Sequence, residues 1–191
     1  IIWLSANGDP TKPNWKMNPV SGPIGYKFDR IELLDLDGDG DLDVLSASSS
    51  DNKIAWYQND GTGNFGGQLV ISTMSQSPQK AIATDLDGDG DMDVVYISYS
   101  DEKAAWNENL GGGTFASQEV IAVFEDSPAT IATTDLHGDG DMDVLIALNS
   151  DDLILWFEND GLGGFFEEQV VSILADGPSA LVFGDLDGDG I

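Results

Sequence analysis

The chain has 191 residues, a formal net charge of −28 and no cysteine. With 35 Asp and Glu against 7 Lys and Arg, its surface repels nucleic acid and anionic membranes and attracts cations, and the missing thiols exclude disulfide staples and cysteine chemistry. Hydrophobic residues make up 41% of the chain, enough for a real core, and no run of ~18 apolar residues predicts a membrane-spanning helix.

In chain order the elements repeat. Asp35, Asp85, Asp135 and Asp185 each open the same acidic stretch, and the step is 50 residues every time. Trp56, Trp106 and Trp156 keep that step, as do Asn59, Asn109 and Asn159, then Phe65, Phe115 and Phe165, then Pro78, Pro128 and Pro178. Each unit reads as four short strands, A to D. An apolar stretch such as KAIAT (80–84) precedes the acidic loop, and a run such as DVVYISY follows it. Next comes a tryptophan-bearing strand such as KIAWYQN. A glycine-rich turn then leads to a last strand such as FGGQLVI. Nothing has the length, period and caps of an amphipathic helix.

Strand C is apolar on both faces: Ile54 and Trp56 point one way, Ala55 and Tyr57 the other. A sheet buried on both sides needs neighbours on both sides, so the units are expected to stack face to face around an axis. The fold class is therefore all-β, a β-propeller of ~50-residue four-stranded blades with a metal loop in each A–B hairpin. A parallel β-helix is the alternative, but its repeats are usually much shorter. The expected divisions are a partial first blade at 1–25, blades at 26–75, 76–125 and 126–175, and the start of another at 176–191. Trp3 matches the strand C tryptophan of a split blade whose strand A would begin the next unit, near 176. Closing four blades would force strands A and C to pair without B between them. The chain is expected to be a piece of a larger propeller, or to associate with a second copy through unpaired blade edges.

Within the first loop, acids fall at positions 1, 3, 5, 7 and 9 (Asp35, Asp37, Asp39, Asp41, Asp43), with glycine at 6. A hard dication such as Ca²⁺ takes six to eight oxygens, and a calcium loop supplies them from side chains at 1, 3 and 5 and a carbonyl at 7, around a sharp turn. Asp41 is read as the carbonyl donor and Asp43 as the residue closing the site. The second loop repeats the set with Asp85, Asp87, Asp89, Asp91 and Asp93. The third has Asp135, Asp139, Asp141 and Asp143, but His137 at position 3. The fourth begins with Asp185, Asp187 and Asp189 and stops there. No glutamate stands at position 12 and no helices flank the loop, so this is not an EF-hand. Imidazole suits zinc or copper better than calcium, which sets the third loop apart.

DLDGDGDLDV, DLDGDGDMDV and the GNFGG turn at 63–67 resemble FG-GAP repeats, the blades of integrin α-subunit N-terminal propellers, known in bacterial proteins as VCBS repeats. The resemblance covers nearly the whole chain. It implies calcium in the A–B hairpins, a structural role for that calcium, and a secreted or cell-surface protein. GTGNFG at 61–66 spells G-x-G-x-x-G, yet it lies in the C–D turn with no helix after it and recurs as turn punctuation, so nucleotide binding is not expected. With no cysteine and its one histidine inside a loop, the chain gives no basis for nucleophilic catalysis, and no enzyme activity is expected. The expected function is extracellular adhesion or binding of a protein or polysaccharide ligand. The alternative is a non-catalytic scaffold within a secreted carbohydrate-active enzyme. Trp15, outside the 50-residue pattern, is a candidate ligand contact.

Overall fold

The computed structural model describes residues 2–6, 15–19 and 30–184. Its architecture is all-β. A two-stranded sheet pairs β1 (Ile2–Ala6) with β2 (Trp15–Pro19). Three four-stranded antiparallel sheets follow, each in sequence order. The first holds β3 (Arg30–Leu34), β4 (Asp43–Ser48), β5 (Lys53–Tyr57) and β6 (Leu69–Ser72). The second holds β7 (Pro78–Thr84), β8 (Asp93–Ser98), β9 (Lys103–Asn107) and β10 (Glu119–Val123). The third holds β11 (Pro128–Thr134), β12 (Asp143–Leu148), β13 (Leu153–Phe157) and β14 (Gln169–Ser172). Sequential antiparallel pairing of neighbouring strands rules out the parallel β-helix alternative. Trp15 opens β2 on the backbone; its side chain lies outside the described residues. Among the described residues no helix is long and apolar enough to cross a membrane.

Period-two alternation builds the stack. Val94 and Tyr96 of β8 and Ala105 of β9 pack with Leu45, Ile54 and Trp56 of the first sheet. The intervening Val95, Ile97, Ala104 and Trp106 pack with Ile131, Val144, Ile146 and Leu155 of the third. The middle sheet thus has a core on each face, as the doubly apolar strands require, and every residue of β8 is buried. Each fully buried Val, Leu or Ile contributes roughly 1.5–3 kcal/mol.

Two devices join the sheets. Strands A carry exposed edges, and the preceding sheet caps them. Glu32 accepts the Ala83 N–H at 3.0 Å, and the Lys80 ammonium donates to the Ile131 carbonyl. Burial pushes the Glu32 carboxyl up, with the Ala83 N–H and Lys80 pulling it back. Farther out, two strand C tryptophans lie beneath a glycine in the C–D turn of the next sheet. Trp56 meets Gly113, and Trp106 meets Gly163. Both rings are buried, whereas Trp156, on the last described sheet, is only partly covered.

Gly163 has φ +77, and a Cβ there would stand 2.5 Å from Trp106 Cζ2. Gly163→Ala is therefore expected to cost ~2–4 kcal/mol in denaturant unfolding, from left-handed strain plus overpacking. Gly67→Ala, with open space around it, should stay within about 0.5 kcal/mol. Equal effects at the two positions would refute this account of the stack.

Candidate metal centres

Antiparallel order puts the A–B loop and the C–D turn at the same end of each sheet, and the acidic loop is built between them. Asp35 organises the first loop. Its Oδ1 accepts from the Gly38 and Asp39 N–H groups at 2.9 and 3.1 Å, and its Oδ2 from Gly40 at 2.8 Å. Gly38 and Gly40 have φ of 77° and 92°, which lets the backbone curl around that carboxylate. Asp85 takes N–H groups from Gly88 and Gly90 in the same way, and Asp135 from Gly138, Asp139 and Gly140. For Asp135 desolvation works upward, but these three donors and nearby His137 outweigh it and hold the carboxyl below the usual range.

Position 9 does more than close a ring of ligands. Asp43 is buried, and its two oxygens accept from the Leu36 N–H at 3.0 Å and the Asn59 N–H at 2.8 Å. Asp93 binds Leu86 and Asn109 N–H groups, both at 2.8 Å, and Asp143 binds those of Leu136 and Asn159 at 3.1 and 2.9 Å. Each aspartate therefore clasps its own acidic loop to its own C–D turn. For Asp43 and Asp93 desolvation is the largest effect: it pushes the Asp43 carboxyl up, and that of Asp93 up to about 6, with the loop carboxylates of Asp87 and Asp89 adding to the Asp93 rise.

Three groups of ligand atoms converge to within 4.8 Å of one another: Asp35, Asp37 and Asp39; Asp85, Asp87 and Asp93; and Asp135, His137 and Asp143. Of the remaining sequence-predicted ligands, Asp41, Asp91 and Asp141 turn their carboxylates toward Gly61, Gly111 and Gly161 of the C–D turns. Asp89 and Asp139 fall outside the converging groups. Asp185, Asp187 and Asp189 lie outside the described residues. The cationic side chains of Lys53 and Lys103 pair with Asp51 and Asp101 at the opposite end of the sheets. The clustered loop carboxylates, curled glycines and several oxygens per loop fit a hard dication.

Sequence reasoning missed two positions. Asn59, Asn109 and Asn159 kept the repeat step but had no assigned role. Their amides donate to carbonyls of their own loops at Leu42, Met92 and Met142. Asn109 also donates to the Leu36 carbonyl of the preceding sheet at 2.9 Å, and Asn159 to that of Leu86 at 2.7 Å. The second missed position lies one residue earlier. Gln58 donates to Asp37 of the first loop, and Glu158 approaches His137 of the third. Only their place just after strand C could have flagged these two.

A model of the FG-GAP-like repeat matches the chain three times, over residues 35–96, 85–146 and 135–191. The chain belongs to this family. Each match begins on the first aspartate of an acidic loop, so the repeat and the FG-GAP-like loop share their starting point. Comparison with curated proteins gave no match. Among solved structures, an Agrocybe aegerita lectin, described as specifically recognising non-reducing terminal N-acetylglucosamine, is similar at 21% identity with a TM-score of 0.65. The alignment covers 90% of this chain and 46% of that one, so this FG-GAP-like chain spans less than half the lectin's length. At that identity the likeness concerns the fold.

A free aspartate titrates near 3.8, and folding raises Asp93 to about 6. Between those values the unfolded chain has lost a proton that the folded chain keeps, so the Asp93 contribution to stability falls as pH rises through this window. In chelator, the melting temperature of the wild type should fall relative to Asp93→Asn as pH is raised from about 4 to about 6. Parallel melting curves for the two proteins across that range would contradict the assignment.

Proposed function

We propose that the chain is a calcium-binding β-propeller module that holds an extracellular ligand without catalysing a reaction on it. The observation that carries this reading is the acidic loop itself, repeated in register at one end of three stacked sheets, with carboxylates gathered and glycines curled around them. Calcium bound there would supply charge neutralisation to carboxylates that otherwise repel. In the first loop Asp35, Asp37 and Asp39 would hold it with the Asp41 carbonyl and Asp43. In the second, Asp85, Asp87, Asp89, the Asp91 carbonyl and Asp93 would do so. Its role is structural: the loops brace hairpins and present no nucleophile. A secreted or cell-surface setting agrees with this, because extracellular modules bind calcium at ~10⁻⁴–10⁻³ M. Unpaired blade edges are where copies of the chain would associate.

The opposite end of the sheets offers a place for the ligand. A cavity of about 270 Å³ lies between the second and third sheets, lined by Gln79, Tyr99, Asp126, Ser127, Asn149 and Ser150 among others. Tyr99 is 55% exposed beside this polar wall, and Ser127 Oγ donates to its carbonyl. Asp126, held below the usual range chiefly by the Ser127 N–H, supplies a carboxylate acceptor. An aromatic face flanked by amides, hydroxyls and a carboxylate suits a polyhydroxylated ligand, which favours a polysaccharide over a protein surface.

Two measurements test these readings. Excess chelator should lower the melting temperature, and Asp39→Ala or Asp89→Ala should each remove one calcium from the stoichiometry found by titration calorimetry. Identical melting with calcium and with chelator would overturn the calcium reading. On a glycan array the chain should give specific hits that weaken about tenfold or more, ~1.4 kcal/mol, in Tyr99→Ala. Silence across the array would favour a scaffold role over recognition.

A further inference from the structure

The third loop is built differently from the other two, and the difference has a chemical direction. We propose that it binds a borderline transition-metal dication of the zinc class in place of calcium, with His137 Nε2, Asp139 and Glu158 as ligands. The proposal rests on the reading of the acidic loops as metal sites, and it assigns this one loop a different ion.

His137 stands at position 3, where the first two loops have Asp37 and Asp87. Its Nδ1 lies 3.2 Å from Asp143 Oδ2. Asp143 is fully buried and fixed by two backbone N–H groups, so it cannot swing away from the ring. A carboxylate receiving one imidazole N–H and leaving the other nitrogen free is the usual outer partner of a metal-bound histidine. The free nitrogen does not face solvent alone. Nε2 is 2.9 Å from Asp139 Oδ2 and 3.8 Å from Glu158 Oε1, two carboxylates brought from the loop and from the residue that follows β13. The Trp156 ring lies 5.8 Å from the imidazole, centroid to centroid, and limits its movement on one side.

One imidazole nitrogen with two carboxylate oxygens within 3.8 Å of it offers donors of the kind that zinc-class ions take, which accept four ligands and favour imidazole. Calcium wants six to eight oxygens and gains little from nitrogen. The neighbouring loops supply the contrast. In the first, Gln58 occupies the position of Glu158 and donates its amide to Asp37, leaving an oxygen-only side-chain set. In the second, Glu108 occupies that position, but Asp87 keeps position 3 an oxygen donor. Only the third loop combines imidazole with the added carboxylate. The rival account is that protonated His137 serves as the loop's own cation and no metal enters.

The test is titration calorimetry on the whole chain at neutral pH, first with calcium to saturation, then with zinc chloride. The expected result is one zinc per chain bound after calcium has filled the first two loops. Cobalt(II) in place of zinc should give visible absorption bands of a nitrogen-ligated low-coordinate site and should quench Trp156 fluorescence. Glu158→Gln should weaken zinc at least tenfold without changing the calcium count. His137→Asp should abolish the zinc event and raise that count by one. If calcium binds the first two loops and zinc does not bind, or binds equally well to His137→Gln, the proposal is overturned and the imidazolium account stands. Failure of calcium at the first two loops would instead strike the general calcium reading, and a zinc event lost in His137→Gln would still support this site.

Discussion

The buried aspartate at the ninth position of each acidic loop holds the rest of the unit in place. Asp43, Asp93 and Asp143 each spend both carboxylate oxygens on backbone N–H groups, one in the acidic loop and one at the start of the C–D turn. Buried N–H groups left without acceptors cost about 1–3 kcal/mol each, so this carboxylate cannot be replaced by an apolar residue of similar size without loss. The clasp also fixes where the other acids stand. The loop must leave strand A, curl around its first aspartate and return to the clasp within nine positions. Its carboxylates are thereby confined to a small volume, and their repulsion is a consequence of the closure.

The clasp matters beyond its own sheet because of the asparagine that follows strand C. The backbone of Asn109 is held by Asp93, while its amide reaches the carbonyl of Leu36 in the preceding loop. Asn159 repeats the pair of bonds with Asp143 and Leu86. At the other side of the stack, Glu32 and Lys80 cap the edges of strands A. Between these lines the tryptophan rings fit under glycines of the next turn. Polar bonds therefore set the register of the stack at its rims, and apolar packing fills the space they enclose. Non-directional burial alone would permit the sheets to slide; directional bonds at both rims do not.

Much of this was legible in the sequence, because repetition multiplies a weak signal. One run of alternating apolar residues is ambiguous, but three in register, each followed by the same acidic loop, fix strand order and the two-faced character of Ile54 to Tyr57. The loop's ligand spacing was equally plain. The sequence could not reveal which acids converge, since Asp39 joins its group while Asp89 and Asp139 stay outside theirs. Nor could it show that Asp93 is an N–H acceptor in a desolvated place. The inter-sheet bonds of Asn109 and Asn159 span 73 residues, and no local pattern encodes such a partner. The tryptophan and its covering glycine were both visible as repeat positions, but their pairing belongs to the stack.

These bonds make the acidic loops and the sheet interfaces one mechanical system. Leu36 lies between Asp35 and Asp37, the two carboxylates nearest the start of the first loop. Its N–H is held by Asp43 and its carbonyl by Asn109 of the next sheet. Any force on those carboxylates, whether mutual repulsion or a cation that relieves it, acts on a peptide already tied into both sheets. Leu86 occupies the same place between the second sheet and the third. Charge held at one rim thereby bears on a peptide shared by neighbouring sheets, and the Tyr99 cavity lies between the second and third of those sheets at the far rim.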